Sequence, residues 1–166
     1  MDIVTFYAAA AALSFTLLGF WWLVVQFRHV ELTHEAGPRR FSFVVSLHFI
    51  LPGLASLASL LATGSLWRVA FGLAGLTGLG AMLLGATQIR ELPLVGVARL
   101  AWVAVPLYAL VVAVAAAPDL ARAVGLQPLQ AEGYLLVLVI LVGVLLAWLL
   151  FTAPILPRGS AADEHS

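Results

Sequence analysis

The side chain in this sequence with the most chemical reach is His48, in the stretch SLHFILPG. It lies inside an apolar run, residues 41–62, that is long enough to cross a bilayer. An imidazole surrounded by lipid or protein can relay a proton, bind an ion or ligate a cofactor. It can equally be a neutral ring bonded to a serine, a tyrosine or a backbone carbonyl. Pro52, four residues on, removes the helix bond to the His48 carbonyl and favours a kink there. At about 100° per residue, His48, Pro52, Ala55, Ser56 and Ser59 share one side of the helix. Phe43, Leu47, Ile50, Leu54, Leu57 and Leu61 take the other, and that stripe is expected to face lipid. Tyr108 stands about 12 Å into a later apolar run and His48 about 10 Å into its own, both counted from the same membrane face at the helical rise. His48, Pro52, Ser59 and Tyr108 therefore make the candidate intramembrane polar site. They are either structural glue, with a Tyr–His hydrogen bond, or the lining of a polar path.

Other constellations are weaker. His29, Glu31, His34 and Glu35 have metal-ligand types. On a helix, however, paired histidine ligands want a spacing of four, and a spacing of five turns them about 140° apart. Arg28 and Glu31 are better read as an ion pair on an emerging helix. The chain has no cysteine, which removes disulfides, iron–sulfur clusters and thiol catalysis. Haem held by two histidines of one chain is excluded, because His48 is the one histidine within a span. Every carboxylate, Glu132 included, falls at or beyond the end of an expected span. None of Ser14, Ser46, Ser56 and Ser59 sits in a nucleophile motif, and no phosphate loop occurs. No catalytic residue, cofactor or metal is expected, and the enzyme reading is the weaker one.

The elements that would position these residues follow from composition. Hydrophobic residues make up 63% of the 166 and charged residues 10%, against roughly 25% charged in soluble domains. An all-α polytopic membrane protein is expected, with five transmembrane helices in one bundle over residues 1–157. The spans are placed at about 3–27, 41–62, 67–89, 100–117 and 134–153, followed by a polar tail, 158–166. The first run lacks the basic start of a signal peptide and is read as a retained span. Gly37-Pro38 reads as a helix stop, PDLARAVG as one or two turns at the interface, and Pro128 as the restart of a helix ahead of the last span. Trp21, Trp22, Trp102 and Trp148 read as interfacial anchors, with Phe6 and Tyr7 at the opposite face. In the third span, Ala70, Ala74, Thr77, Gly78, Ala81, Gly85 and Gln88 share a face. The pairs Ala74-x-x-x-Gly78 and Ala81-x-x-x-Gly85 suit close packing, so this helix is expected at the centre of the bundle.

Arginine counting sets the orientation. With the N-terminus outside, six arginines (Arg28, Arg39, Arg40, Arg90, Arg99, Arg158) are cytoplasmic and two (Arg68, Arg122) are not. The expectation is a multi-pass protein of a plasma (inner) membrane, N-terminus out and C-terminus in. The absence of lysine, with abundant Ala, Gly, Val and Leu, suggests a GC-rich bacterial coding bias. The expected partners are the bilayer and either a second copy or other membrane subunits, and the zero net charge gives no case for nucleic acid. Two functions are open: a structural or accessory component of a membrane complex, or a small oligomeric transporter or channel with a polar path at His48.

Overall fold

A computed structural model describes residues 2–29, 36–61, 64–89 and 95–152. Among them the chain is all-helical: α1 (Ile3–Phe27), α2 (Ala36–Leu61), α3 (Leu66–Ile89), α4 (Val95–Ala116), the short α5 (Asp119–Ala123) and α6 (Pro128–Thr152). Four of these are long and apolar enough to cross a membrane, and α4 adds the shorter apolar segment Trp102–Ala116. The protein is a helical membrane bundle. Each of the long helices is apolar nearly all round over its spanning part, as a helix must be that meets protein on one side and lipid on the other.

The helices pack in a ring, α1 against α2, α2 against α3, α3 against α4, α4 against α6, and α6 back against α1, with α2 also touching α6 across it. Side-chain bonds fix the ends. The Tyr7 hydroxyl donates to the Leu129 carbonyl at 2.6 Å, joining the starts of α1 and α6. Arg68, at the start of α3, donates through Nε to Ala115 O (2.8 Å) and through Nη2 to Ala116 O (2.7 Å), at the end of α4. On the opposite face Arg28 Nη1 donates to the carbonyls of Leu150 and Phe151, at the end of α6. The last carbonyls of a helix lack partners and carry the negative end of its dipole. Two arginines, one at each face, supply that need from a neighbouring helix.

Several expectations need correction. The centre of the bundle is α2, not α3: 56% of the apolar stretch of α2 is buried, against 28% of that in α3. The reason is contact from three sides, by α1, α3 and α6. It also buries Leu47, at 9% exposure, although Phe43, Leu54, Leu57 and Leu61 of the same stripe are exposed. Gly37 and Pro38 do not end a helix but open α2, where a proline lacks no bond because first-turn amides have no intrahelical partner. Trp21 and Tyr7 are not interfacial anchors. Trp21 is 2% exposed and donates Nε1 to Ser42 O at 3.2 Å, whereas Trp22, Trp102 and Trp148 are exposed. The last helix begins at Pro128 as expected, with Gln130 Oε1 accepting from the Gln127 amide as half of a capping box, but its apolar span starts there too rather than at Tyr134. The PDLARAVG segment forms α5, closed by Gly125 at φ +77°. The segment holding Glu31, His34 and Glu35, and the tail, lie outside the described residues.

The face of α3 that is buried runs Phe71, Gly75, Gly78, Met82 and Gly85, while Ala70, Ala74 and Ala81 are half-buried and Thr77 is exposed. The glycines there receive larger residues of other helices. A Cβ on Gly75 would come within 2.7 Å of Val112 Cγ2, and one on Gly78 would overlap the Tyr108 ring. Gly80, two residues on, has nothing within 4 Å. Gly78→Ala should therefore lower the unfolding midpoint in detergent, at a cost of about 1–3 kcal/mol from overpacking. Gly80→Ala should hold or raise it by up to about 1 kcal/mol. Equal behaviour of the two variants in a thermal melt would contradict this packing.

Candidate functional site

The structure brings His48 and Tyr108 together at the middle of the bundle. α2 and α4 are separated in the ring by α3 on one side and α6 on the other, so the two side chains meet by reaching inward. Their ring centroids are 5.5 Å apart and the planes cross at 68°, an edge-to-face contact. Each side chain meets a glycine of another helix, Tyr108 with its ring and His48 with its Cβ. Gly78 of α3 lies under Tyr108, and a Cβ on Gly143 of α6 would come within 2.6 Å of the His48 Cβ. His48 is 1% exposed.

The expected Tyr–His hydrogen bond is not made. His48 Nδ1 lies 3.1 Å from Val44 O, one turn back on its own helix. A carbonyl can only accept, so Nδ1 carries the proton and Nε2 is left as an acceptor. Nε2 and the Tyr108 hydroxyl are both buried without a hydrogen-bond partner. Pro52 is buried one turn beyond His48, within a helix that continues past it. Ser59 is not brought to the pair. It stands about 16 Å along α2 from His48 at the helical rise, half-buried, and donates to Ser56 O at 2.7 Å. Of the small residues proposed for packing, Gly78 serves the site directly. Gly85 lies against Val44, and Ala74 and Ala81 pack on the edge of the core.

Sequence reasoning missed Glu132. It was placed outside the last span, yet it lies in the second turn of α6, at 0% exposure, with neither carboxylate oxygen hydrogen-bonded. Its neighbour Gly133 receives the Phe6 ring, a Cβ there meeting Phe6 Cε1 at 2.8 Å. Tyr7 of α1 lies within electrostatic reach of it. Outside Phe6 and Leu129 opens a pocket of about 510 Å³ between the starts of α1 and α6, with Asp2, Gln127, Gln130 and Tyr134 on its wall. The helix start at Pro128 is legible in the sequence; the miss lies in beginning the span six residues later, which left Glu132 outside it.

Among the described residues, Ser14 of α1 and Ser56 of α2 are the other buried hydroxyls without a hydrogen bond. Along α2, Ser56 is about 12 Å from His48; along α6, Glu132 is about 16 Å from Gly143, which touches His48. The unbonded polar atoms thus lie in one half of the bundle, between the Glu132 end and His48. Beyond His48 come Val45, Met82, Leu146 and Leu150, all buried and apolar. Ser42 and Ser46 are buried there too, but Ser46 donates to Ser42 O and Ser42 O also receives Trp21. No group of three or more potential metal ligands occurs among the described residues.

No protein-family model matches this chain, and neither a curated protein nor a solved structure matches it.

The unbonded Tyr108 hydroxyl and its well-packed ring give opposite expectations for two substitutions. Tyr108→Phe removes a buried polar group without a partner and should leave the melting midpoint unchanged or raise it. Tyr108→Ala should cost about 3–5 kcal/mol, as large-to-small changes of aromatic core residues do. A Tyr108→Phe variant as damaged as Tyr108→Ala in the same detergent melt would mean that the hydroxyl makes a bond on which the bundle depends.

Proposed function

We propose that the protein is a non-catalytic, structural or accessory component of a membrane assembly. The observation that carries this reading is the closure of the bundle at its middle. There the rings of His48 and Tyr108 meet edge to face, Tyr108 rests on Gly78 and the His48 Cβ on Gly143, with an apolar plug on one side. A path for a solute would need a polar or hydrated lining at that level. The outer surface supports the reading too, since exposed residues such as Phe20, Leu73, Leu84 and Leu141 can meet either lipid or another apolar helix. The partner is a second copy of the chain or a different membrane subunit.

The setting proposed is a bacterial plasma (inner) membrane, with the N-terminus outside and the C-terminus in the cytoplasm. The arginine asymmetry supports the orientation, and the lysine-free, alanine- and leucine-rich composition supports the source.

A second reading, a small oligomeric transporter or channel, has one observation in its favour. Glu132, Ser14, Ser56, His48 and Tyr108 leave six buried polar atoms unbonded within one half of the bundle, and such groups normally have partners. Gentle detergent extraction, affinity capture and mass spectrometry distinguish the readings. The accessory role predicts a stoichiometric integral-membrane partner, or a defined homo-oligomer, and no flux in proteoliposomes. A protein that purifies without a subunit and carries a pH-dependent flux, lost in His48→Gln or Glu132→Gln while the fold persists, would overturn it in favour of transport.

A further inference from the structure

At the end of the bundle away from Glu132, the first turns of α2 carry Arg39 and Arg40, adjacent and exposed. Among the described residues neither has an ion-pair or hydrogen-bond partner. The placement is unfavourable as it stands. Arg39 and Arg40 line one groove, which brings two like charges to the same place, and the start of a helix is the positive end of its dipole, where anions are favoured and cations are not. The first turn of α2 holds no acidic residue to compensate. An anion between the two arginines would relieve both conflicts, and the guanidinium fork matches a phosphate.

The surface beside them is shaped for more than a phosphate. Two grooves share Arg39 and Phe43. The first, about 300 Å³, follows the seam with α1 and is walled by Trp22, Val25, Ser42 and Ser46. The second, about 520 Å³, follows the seam with α3 and is walled by Val44, Ala81, Leu84 and Gly85. Gly85 contributes no side chain to fill it. Phe43, 61% exposed, stands between the grooves as a ridge. Both grooves lead from the arginines along the apolar sides of spanning helices.

We propose that this face binds an anionic phospholipid, its phosphate held by Arg39 and Arg40 and one acyl chain lying in each groove, astride Phe43. A free phosphate would use the arginines but not the apolar walls. A single partner helix would fill one groove and leave the ridge and the second groove unused. A two-chain lipid fits both grooves and supplies the missing charge. Arginines at the membrane surface attract anionic lipid in any case; the paired grooves make this one place selective and long-lived. The inference stands apart from whether the bundle is an accessory subunit or a transporter.

The test is native mass spectrometry of the full chain released from nanodiscs of equal phosphatidylglycerol and phosphatidylcholine. The native chain should retain the anionic lipid over the zwitterionic one by on the order of tenfold. Arg39→Gln with Arg40→Gln should bring the ratio to parity, while Arg122→Gln, an exposed arginine paired with Asp119 on the other face, should leave it unchanged. Equilibration of the unaltered protein at about 1 M salt, where the screening length falls to roughly 3 Å, should also weaken the preference without any mutation. Parity in the native chain, an equal loss with Arg122→Gln, or displacement of the lipid by millimolar inorganic phosphate would each overturn the proposal.

Discussion

Two contacts of a side chain with a glycine tie together four helices: Tyr108 of α4 over Gly78 of α3, and His48 of α2 against Gly143 of α6. Lipid tails are as apolar as leucine, so helices in a bilayer gain little from burying hydrocarbon and associate through close packing instead. A ring or a Cβ seated where a neighbour has no side chain gives the closest approach available. Because His48 and Tyr108 then touch each other, the two contacts become one cluster, and helices that are not neighbours in the ring are coupled through it. The same device recurs away from the centre, with Phe15 of α1 on Gly53 of α2 and Phe6 of α1 on Gly133 of α6.

The polar groups of this bundle divide by position. At each of the two faces, side-chain bonds join neighbouring helix ends. Arg68 and Arg28 meet the carbonyl ends of α4 and α6, and Tyr7 meets Leu129. Those bonds answer the requirement that backbone groups find partners inside the protein when water is excluded. Inside, between Glu132 and His48, side-chain polar atoms are left without bonds. The glycine-seated ring pair and the apolar residues beyond it close that polar half of the interior off from the opposite face. The bundle is polar in one half and packed closed at its middle.

The spanning helices were legible because hydropathy reports solvent, and the solvent of this protein is lipid. The wheel of residues 41–62 likewise placed His48 toward protein, since a leucine stripe and an imidazole cannot both prefer lipid. What was not legible depends on partners from other helices. Small residues on α3 suggested a central helix, but Gly75 and Gly78 are small in order to receive Val112 and Tyr108; the centre passed to α2, whose Phe49 and Val45 carry bulk into the core. Trp21 looked like Trp22 in sequence, and only the Ser42 carbonyl beside it makes it a core residue. Glu132 was misplaced because a charge was taken to mark the end of a span, whereas the helix start is set by Gln127, Pro128 and Gln130.

If the bundle is sealed at its middle, no water-lined route reaches His48 or Ser56, both buried on one face of α2. The chain has no cysteine, so a single Ser56→Cys substitution places one thiol on that face, nearly isosteric with the buried hydroxyl it replaces. Thiols react as thiolates and need access to water. In intact membranes Ser56→Cys should resist a small, charged methanethiosulfonate applied from either side, and should react fully once the protein is denatured. Rapid labelling in the native bilayer, comparable to that of a cysteine at exposed Arg122, would show an open aqueous path and contradict the sealed bundle.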